Sequence, residues 1–412
     1  MVTRLKLNNS RLHDRIEALS KIGSTPEGGS RRVALTDADK EGRDLVISWM
    51  KESGLQVQID QIGNIFATLK GNKSGRPIMT GSHIDTVGNG GHLDGCYGVL
   101  AGLEVLATYA DLKEKPNHDL CVAIFTNEEG VRFQPDMLGS LVYAGGMIVE
   151  EAHAIKSTDG KTLHEELIRT GYLGTMKCGS VIPHAFIELH IEQGPVLESK
   201  NDFIGVVEGV QGISWTGVTF RGQSNHAGTT PMNLRKDAAY AASRLAVSVR
   251  EITKEIGEGQ VGTVGVITPK PNLINVVPGE VNMTVDLRNI DDEKLRKAEK
   301  MLHEHIENIC QEEKVVAETE KLVRFEPVQF DKRICDLIAE VTENVGFSYS
   351  RLNSGAGHDA QMMARLCPTA MIFVPSKDGV SHNPKEYTSK EYLDMGADIL
   401  FETITKLDQI EF

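Results

Sequence analysis

Four short polar segments carry most of the side chains in this sequence that could do chemistry. The first is Gly81-Ser82-His83-Ile84-Asp85-Thr86, followed by the glycine-rich stretch Gly88-Asn89-Gly90-Gly91-His92-Leu93-Asp94-Gly95. His83 and Asp85 alternate along an extended chain and would share one face. An imidazole beside a carboxylate is the pattern of a metal ligand whose tautomer is fixed by a neighbouring acid. Glycines around Asp94 let the backbone turn sharply and aim a carboxylate inward. The second segment is Thr126-Asn127-Glu128-Glu129-Gly130. Adjacent carboxylates repel and are costly to bury. A cation would offset this for one of them and leave the other as a general base. The third and fourth are His190-Ile191-Glu192-Gln193-Gly194-Pro195 and Ser381-His382-Asn383-Pro384. Singly, each histidine reads as an ordinary hydrogen-bonded residue and the acidic pair as a solvated turn. Jointly, His83, Asp94, Glu129, His190 and His382 make two sets of three ligands if Asp94 is shared. Two histidines with the aspartate suit one ion, and the aspartate with a glutamate and a histidine suits the other. Such nitrogen and oxygen donors fit Zn²⁺, Mn²⁺, Co²⁺ or Ni²⁺ better than Ca²⁺.

The elements that must position these groups are short apolar runs. Ile78-Met79-Thr80 leads into His83, Leu120 to Thr126 leads into Glu128, and Ala185 to His190 contains a ligand candidate itself. Ala370 to Val374 precedes His382. In open α/β sheets, sites collect at the carboxyl ends of strands, so distant clusters can converge there. Helix patterns run from Thr36 to Ser53, with Thr36 or Asp37 as N-cap and Gly54 as stop, from Asp331 to Gly346 and from Ser389 to Leu407. The middle of the chain has a different rhythm. Strand-like Ser214–Arg221 precedes a helix pattern over Leu234–Ile256, strands over Val261–Ile267 and Val281–Asn289, a helix over Asp291–Glu313 and a strand over Val315–Phe325. That β-α-β-β-α-β order is ferredoxin-like. The expected fold is therefore α/β, with residues 1–211 and 327–412 forming a discontinuous mixed-sheet domain and residues 212–326 an inserted lid.

The insert has its own polar residues. Gly222 to Met232 (GQSNHAGTTPM) follows a strand, Asn272 to Gly279 (NLINVVPG) forms a bend, and Arg288 lies near a strand end. An arginine facing a metal site from a lid could hold a substrate carboxylate bidentately. Ser354-Gly355-Ala356-Gly357-His358-Asp359 is a glycine-rich loop opening a helix and could offer backbone N–H groups to an anion.

Composition bounds the rest. The 412 residues hold 44 Lys plus Arg against 58 Asp plus Glu, for a net charge of −14, which argues against nucleic-acid or anionic-membrane partners. Six scattered cysteines with no CxxC pair suit a reducing compartment. No apolar run approaches a membrane span, and the N-terminus lacks the pattern of a signal peptide, so a cytoplasmic setting is expected.

The ordered set GSHIDT, GGHLDG, TNEEG, ELHIEQG, NHAGTTPM, NVVPG, SGAGHDA and FVPSKDGVSHNP resembles the M20 metallopeptidase-like amidohydrolases, in particular the hydantoinase/carbamoylase branch. The likeness spans nearly the whole chain, and histidine at position 190 favours this branch over the peptidases. It implies a two-domain fold with a dinuclear metal domain and a lid that also dimerises. His83, Asp94 and His190 would hold one ion; Asp94, Glu129 and His382 the other. Asp85 would orient His83, and Glu128 would be the general base. Gln193, His226, Asn275 and Arg288 match the family's substrate contacts, Gly357 and His358 are expected to bind substrate as well, and His226 would act across the dimer interface. His92 departs from the family pattern and is expected to be a spectator. The resemblance implies hydrolysis of N-carbamoyl-L-amino acids, a small anionic ureido substrate class. Allantoate is the alternative, with β-ureidopropionase and peptidase activity behind it. A catalytically dead relative surviving as a binding or dimerisation protein is a different class, and the presence of all five ligand candidates with Glu128 argues against it.

Overall fold

The computed structural model describes residues 6–73, 75–112, 115–257 and 259–410. They form two compact units, one from residues 6–208 and 330–410 and the other from residues 209–329.

The larger unit is built on a mixed sheet. Seven of its nine strands run in the order Gln56–Ile59, Ile65–Leu69, Leu120–Phe125, Ile78–His83, Ala185–Ile191, Thr369–Val374 and Ile204–Val210, and Val328–Gln329 and Tyr349–Ser354 pair with the last of these. The four strands from Leu120–Phe125 to Thr369–Val374 are mutually parallel, flanked by antiparallel neighbours. Every residue of those four is buried, which explains why they read as unbroken apolar runs rather than alternating ones. The helix Cys96–Leu112 is buried from Cys96 through Tyr109 and packs against this sheet. A helix apolar all round belongs in a core. Its one buried acid, Glu104, is neutralised from the helix Asn9–Ser20 by Arg11 at 2.7 Å and Arg15 at 3.3 Å. The helix Asp37–Glu52 starts where its sequence says it should: the Thr36 side chain caps Asp39 N, and Asp37 and Asp39 favour the positive end of the helix dipole. No helix among the described residues is long and apolar enough to cross a membrane.

The smaller unit has a four-stranded antiparallel sheet ordered Val316–Phe325, Gly212–Arg221, Glu280–Asn289, Val261–Lys270. In chain order this is 4-1-3-2, the ferredoxin-like arrangement. Along Glu280–Asn289 burial alternates strictly, sending Val281, Met283, Val285 and Leu287 inward. The helices Ala238–Ile256 and Asp292–Glu313 cover that face with Leu245, Ile252, Leu295 and Leu302. Each such buried side chain contributes about 1.5–3 kcal/mol. The strand expected over Val261–Ile267 runs on to Lys270, and the largest difference from expectation is a helix start. The first helix starts at Ala238, not Leu234, because the Asp237 carboxylate caps Ala239 N and Tyr240 N at 3.0 and 3.1 Å. Met232–Leu234 is a separate 3₁₀ turn.

Candidate metal centre

Four parallel strands deliver the polar segments to one end of the larger unit's sheet. His83 is the last residue of its strand and is in register with Phe125, after which the chain turns through Asn127 into Glu128 and Glu129. His190 is in register with Phe373, one residue before the end of Thr369–Val374, and His382 follows on the loop beyond. Asp94 sits in the turn that opens the helix Cys96–Leu112.

The ligand atoms converge. Those of His83, Asp94 and His190 lie within 4.8 Å of one another, as do those of Asp94, Glu129 and His382. Asp94 Oδ1 is 3.2 Å from His190 Nε2 and 3.7 Å from His83 Nε2, while Oδ2 is 3.2 Å from His382 Nε2. Glu129 Oε2 lies 3.4 Å from His382 Nε2. Both inner histidines have their other ring nitrogen engaged: His83 Nδ1 at 2.9 Å from the Asp85 carbonyl and His190 Nδ1 at 2.8 Å from the Ile191 carbonyl. With Nδ1 donating in both, Nε2 is the nitrogen turned toward Asp94. This donor set fits two divalent cations sharing the Asp94 carboxylate. Gly95 is required beside it: its φ is +65°, and a Cβ there would stand 2.4 Å from His83 Nε2.

Electrostatics match a site built for cations. Burial opposes the Asp94 charge, yet hydrogen bonds from His190 and His382 hold its carboxyl well below the usual range. Burial also opposes protonation of His190, but Asp94 lifts it to about 9. His83 is depressed by burial and by His190. Burial raises Glu129, helped by Asp94 and Asp85. Glu128 is 8% exposed, with Oε2 3.4 Å from His83 Nε2. Burial and then the charges of Asp359, Glu129, Asp94 and Asp85 push its carboxyl well above the ordinary range.

Two expected roles look different in the structure. The Asp85 carboxylate does not hold His83, because Oδ1 is 4.0 Å from Nδ1 and the main-chain carbonyl makes the bond instead. Its two oxygens accept Glu128 N and Glu129 N, each at 3.3 Å, so the side chain anchors the acidic turn. His358 is 2% exposed, with its ring 4.6 Å from that of His190 and Nε2 2.9 Å from Ser354 Oγ, so it backs the cage instead of lining an open surface. His92 is held by Ser30 Oγ at 2.7 Å and the Gly28 carbonyl at 3.0 Å, which occupies both ring nitrogens. Gln193 Nε2 donates to Asp94 Oδ2 at 2.9 Å.

In the smaller unit, His226 and Asn275 meet across a two-residue ladder of Asn225–His226 with Val276–Val277, closed by Ala227 N to the Asn275 carbonyl at 2.9 Å. His226 Nδ1 accepts Gly228 N at 3.0 Å and Thr229 N at 3.3 Å, which places the proton on Nε2 and makes that atom an exposed donor. Arg235, absent from the sequence expectations, holds this loop through the Ala227 and Thr230 carbonyls at 2.6 and 3.1 Å. Arg288 pairs with Asp286 on its own strand at 2.9 Å. Sequence reasoning also missed the buried Glu188, whose carboxylate lies within 4.8 Å of ring nitrogens of His190 and His358. It accepts Ser82 Oγ at 2.6 Å and Ala360 N at 2.7 Å. The motif ELHIEQG contains it, but inside a buried apolar strand nothing distinguished it from a neighbour of the ligand.

The sequence model of peptidase family M20/M25/M40 matches residues 79–406. The chain belongs to that family. This M20 chain is 41% identical over 406 residues to an N-carbamoyl-L-amino-acid amidohydrolase of Rhizobium meliloti, covering 98% of both chains. It is 36% identical over 407 residues to an allantoate amidohydrolase of Bacillus subtilis, again covering 98% of each. A crystal structure of an amidase of the hydantoinase/carbamoylase family from Burkholderia multivorans superimposes with a TM-score of 0.95 at 41% identity, over 99% of this chain and 100% of that one.

Proposed function

We propose that this chain hydrolyses the ureido C–N bond of N-carbamoyl-L-amino acids, giving the amino acid, ammonia and carbon dioxide. One arrangement carries the reading: the Asp94 carboxylate lies between two donor sets, with Glu128 against the same cage. His83, Asp94 and His190 would hold one divalent ion, and Asp94, Glu129 and His382 a second, with Zn²⁺, Mn²⁺, Co²⁺ or Ni²⁺ suited to the donors. When bound, such ions polarise a carbonyl oxygen and lower the pKa of water toward neutrality.

The chain's own residues supply the rest. Glu128 accepts a proton from the attacking water and returns it to the leaving nitrogen. Asp85 fixes the reach of that carboxylate by holding the Glu128 and Glu129 amides. His226 Nε2–H and the Asn275 amide are the donors for the developing oxyanion, worth roughly 2.7–4 kcal/mol for each well-placed donor. Arg288 receives the substrate carboxylate, exchanging it for Asp286. Gln193 and the Gly357 backbone complete the substrate contacts, with His358 supporting them from behind. Residues 212–326 act as lid and dimerisation domain, and His226 reaches the site of a second copy. All six cysteines are free, which supports a reducing, cytoplasmic setting.

The relatives support a ureido substrate, since one is named for N-carbamoyl-L-amino acids and another for allantoate. Both substrates set a ureido group near a carboxylate, and the higher identity to the former ranks it first. Rates on N-carbamoyl-L-methionine, allantoate, N-carbamoyl-β-alanine and a dipeptide test this. The first should have the highest kcat/KM. Preference for allantoate selects the alternative, and preference for the dipeptide overturns the ureido reading.

A further inference from the structure

We propose that Glu386 is the positioning residue that locks the shared ligand Asp94 and the loop ligand His382 into one cradle, an inference that rests on the two-ion reading above. Glu386 is 8% exposed and lies within the loop that follows the strand Thr369–Val374. Its Oε1 accepts Leu93 N at 3.0 Å and Asp94 N at 3.2 Å. Its Oε2 accepts Ser381 Oγ at 2.8 Å. One carboxylate, 292 residues beyond Asp94 in the sequence, therefore ties the Asp94 backbone to the residue just before His382.

Both ends need such a tie. Asp94 and His382 lie outside regular strand and helix, so no ladder fixes their backbones. His382 adopts a left-handed φ of +53°, which a residue with a Cβ disfavours, and its side chain is 53% exposed. Packing alone does not hold that ring. Ser381 Oγ extends the clamp, lying 3.4 Å from Asp94 Oδ2 and 3.3 Å from Gln193 Nε2. Gly91 leaves the space, because a Cβ there would stand 2.1 Å from Glu386 Oε1. With three donors already on its oxygens, Glu386 is better suited to holding ligands than to being one. It acts through its neighbours, as outer partners of metal ligands do.

The test is titration of metal-free protein with Mn²⁺, following the free-ion electron paramagnetic resonance signal. Wild type should take up two ions per chain. Glu386→Ala should weaken the ion held with His382 by about 10–100-fold, the size of effect that loss of an outer partner has, and the other ion by less, since Asp94 serves both. Glu386→Gln should rescue to near wild-type affinity, because its amide oxygen still accepts the two backbone N–H groups and its NH₂ can donate to Ser381. Ser381→Ala cuts one arm without removing the buried carboxylate, and keeps the idea testable should Glu386→Ala not fold. It should weaken the same ion by a smaller factor. Wild-type uptake by Glu386→Ala, or by Ser381→Ala where only that variant folds, overturns the clamp, as does a Glu386→Gln protein as impaired as Glu386→Ala. A wild-type chain that takes up no Mn²⁺ overturns the two-ion reading itself, and the clamp with it.

Discussion

Replacing Glu128 by glutamine separates base chemistry from metal binding. The carboxylate is 8% exposed and sits against His83. Burial, then Asp359, Glu129, Asp94 and Asp85, all disfavour its charge. The amide keeps the volume and removes that charge, so the fold should not suffer. The sign follows from linkage. A carboxyl raised in the folded state binds its proton more tightly there, so its ionisation destabilises the fold as pH rises above the unfolded value. Glutamine avoids this, and the metal-free variant should melt at or above the wild-type temperature at neutral pH and higher. Turnover should behave oppositely. A positioned general base contributes about 10²–10⁴-fold, or roughly 2.7–5.5 kcal/mol of barrier at 1.36 kcal/mol per decade. Loss of a group that acts only in the transition state lowers kcat with little change in KM. The assay is ammonia release from N-carbamoyl-L-methionine, with metal content measured on the same sample. Full metal with turnover within about tenfold of wild type refutes Glu128 as base. Loss of metal together with activity would make Glu128 a ligand instead.

Three other outcomes follow from the geometry. Gly95→Ala places a methyl 2.4 Å from His83 Nε2 at a φ of +65°; it should cost roughly 1–3 kcal/mol of stability and displace metal, and normal metal content with an unchanged melting temperature would contradict the packing argument. Without cations, Glu129 is raised by burial and its acidic neighbours, and His190 is lifted by Asp94 to about 9 despite burial. His190 therefore carries its second proton at neutral pH and Glu129 holds its proton more tightly than a free carboxyl, so ion binding should release at least one proton and weaken as pH falls, by about tenfold per pH unit for each proton released; calorimetry in two buffers of different ionisation heat counts them, and a count of zero refutes the assignment. Asp286→Asn removes the carboxylate that competes for Arg288 at 2.9 Å; a partly exposed pair is worth about 0.2–1 kcal/mol, so KM for a carboxylate-bearing substrate should fall up to about fivefold, and a raised KM would show that Asp286 orients Arg288 productively.

The sequence made the centre legible where backbone regularity carries side chains a long way. The parallel strands are buried on both faces, so they stand out as apolar runs, and each ends near a polar cluster. Regularity also marks where that reasoning lapses. Residues 83 and 85 share a face only while the strand lasts, and it ends at His83, so the Asp85 side chain swings to the acidic turn while its carbonyl meets the imidazole. Likewise, helical periodicity gave no sign of the turn at Met232–Leu234, because a short capping side chain decides that boundary. Glu386 lies four residues past His382 in an unremarkable polar loop, and only the fold brings it to Leu93 and Asp94. The meeting of His226 and Asn275 depends on a ladder of two residues, too short to leave a periodic pattern.

The buried acids of the larger unit sort themselves by what faces their oxygens. Asp85, Glu188 and Glu386 each receive backbone amides, joined by hydroxyls for the latter two, on both oxygens. Such donors satisfy a carboxylate in place, and these three hold loops together. Asp94, Glu128 and Glu129 bring at least one oxygen within 3.2–3.4 Å of an imidazole nitrogen. The fixed cations nearby do not neutralise them. Arg43 is fully buried against Asp39, and fully buried Arg32 donates to the carbonyls of Ile84, Leu19 and Ile22. Three acids crowded into a low-dielectric pocket repel one another, and His190 and His382 offset this for Asp94 but not for Glu128 and Glu129. On the proposed reading, the same pocket would make Asp94 and Glu129 strong ligands and leave Glu128, the one outside both donor sets, as the carboxylate available to carry a proton.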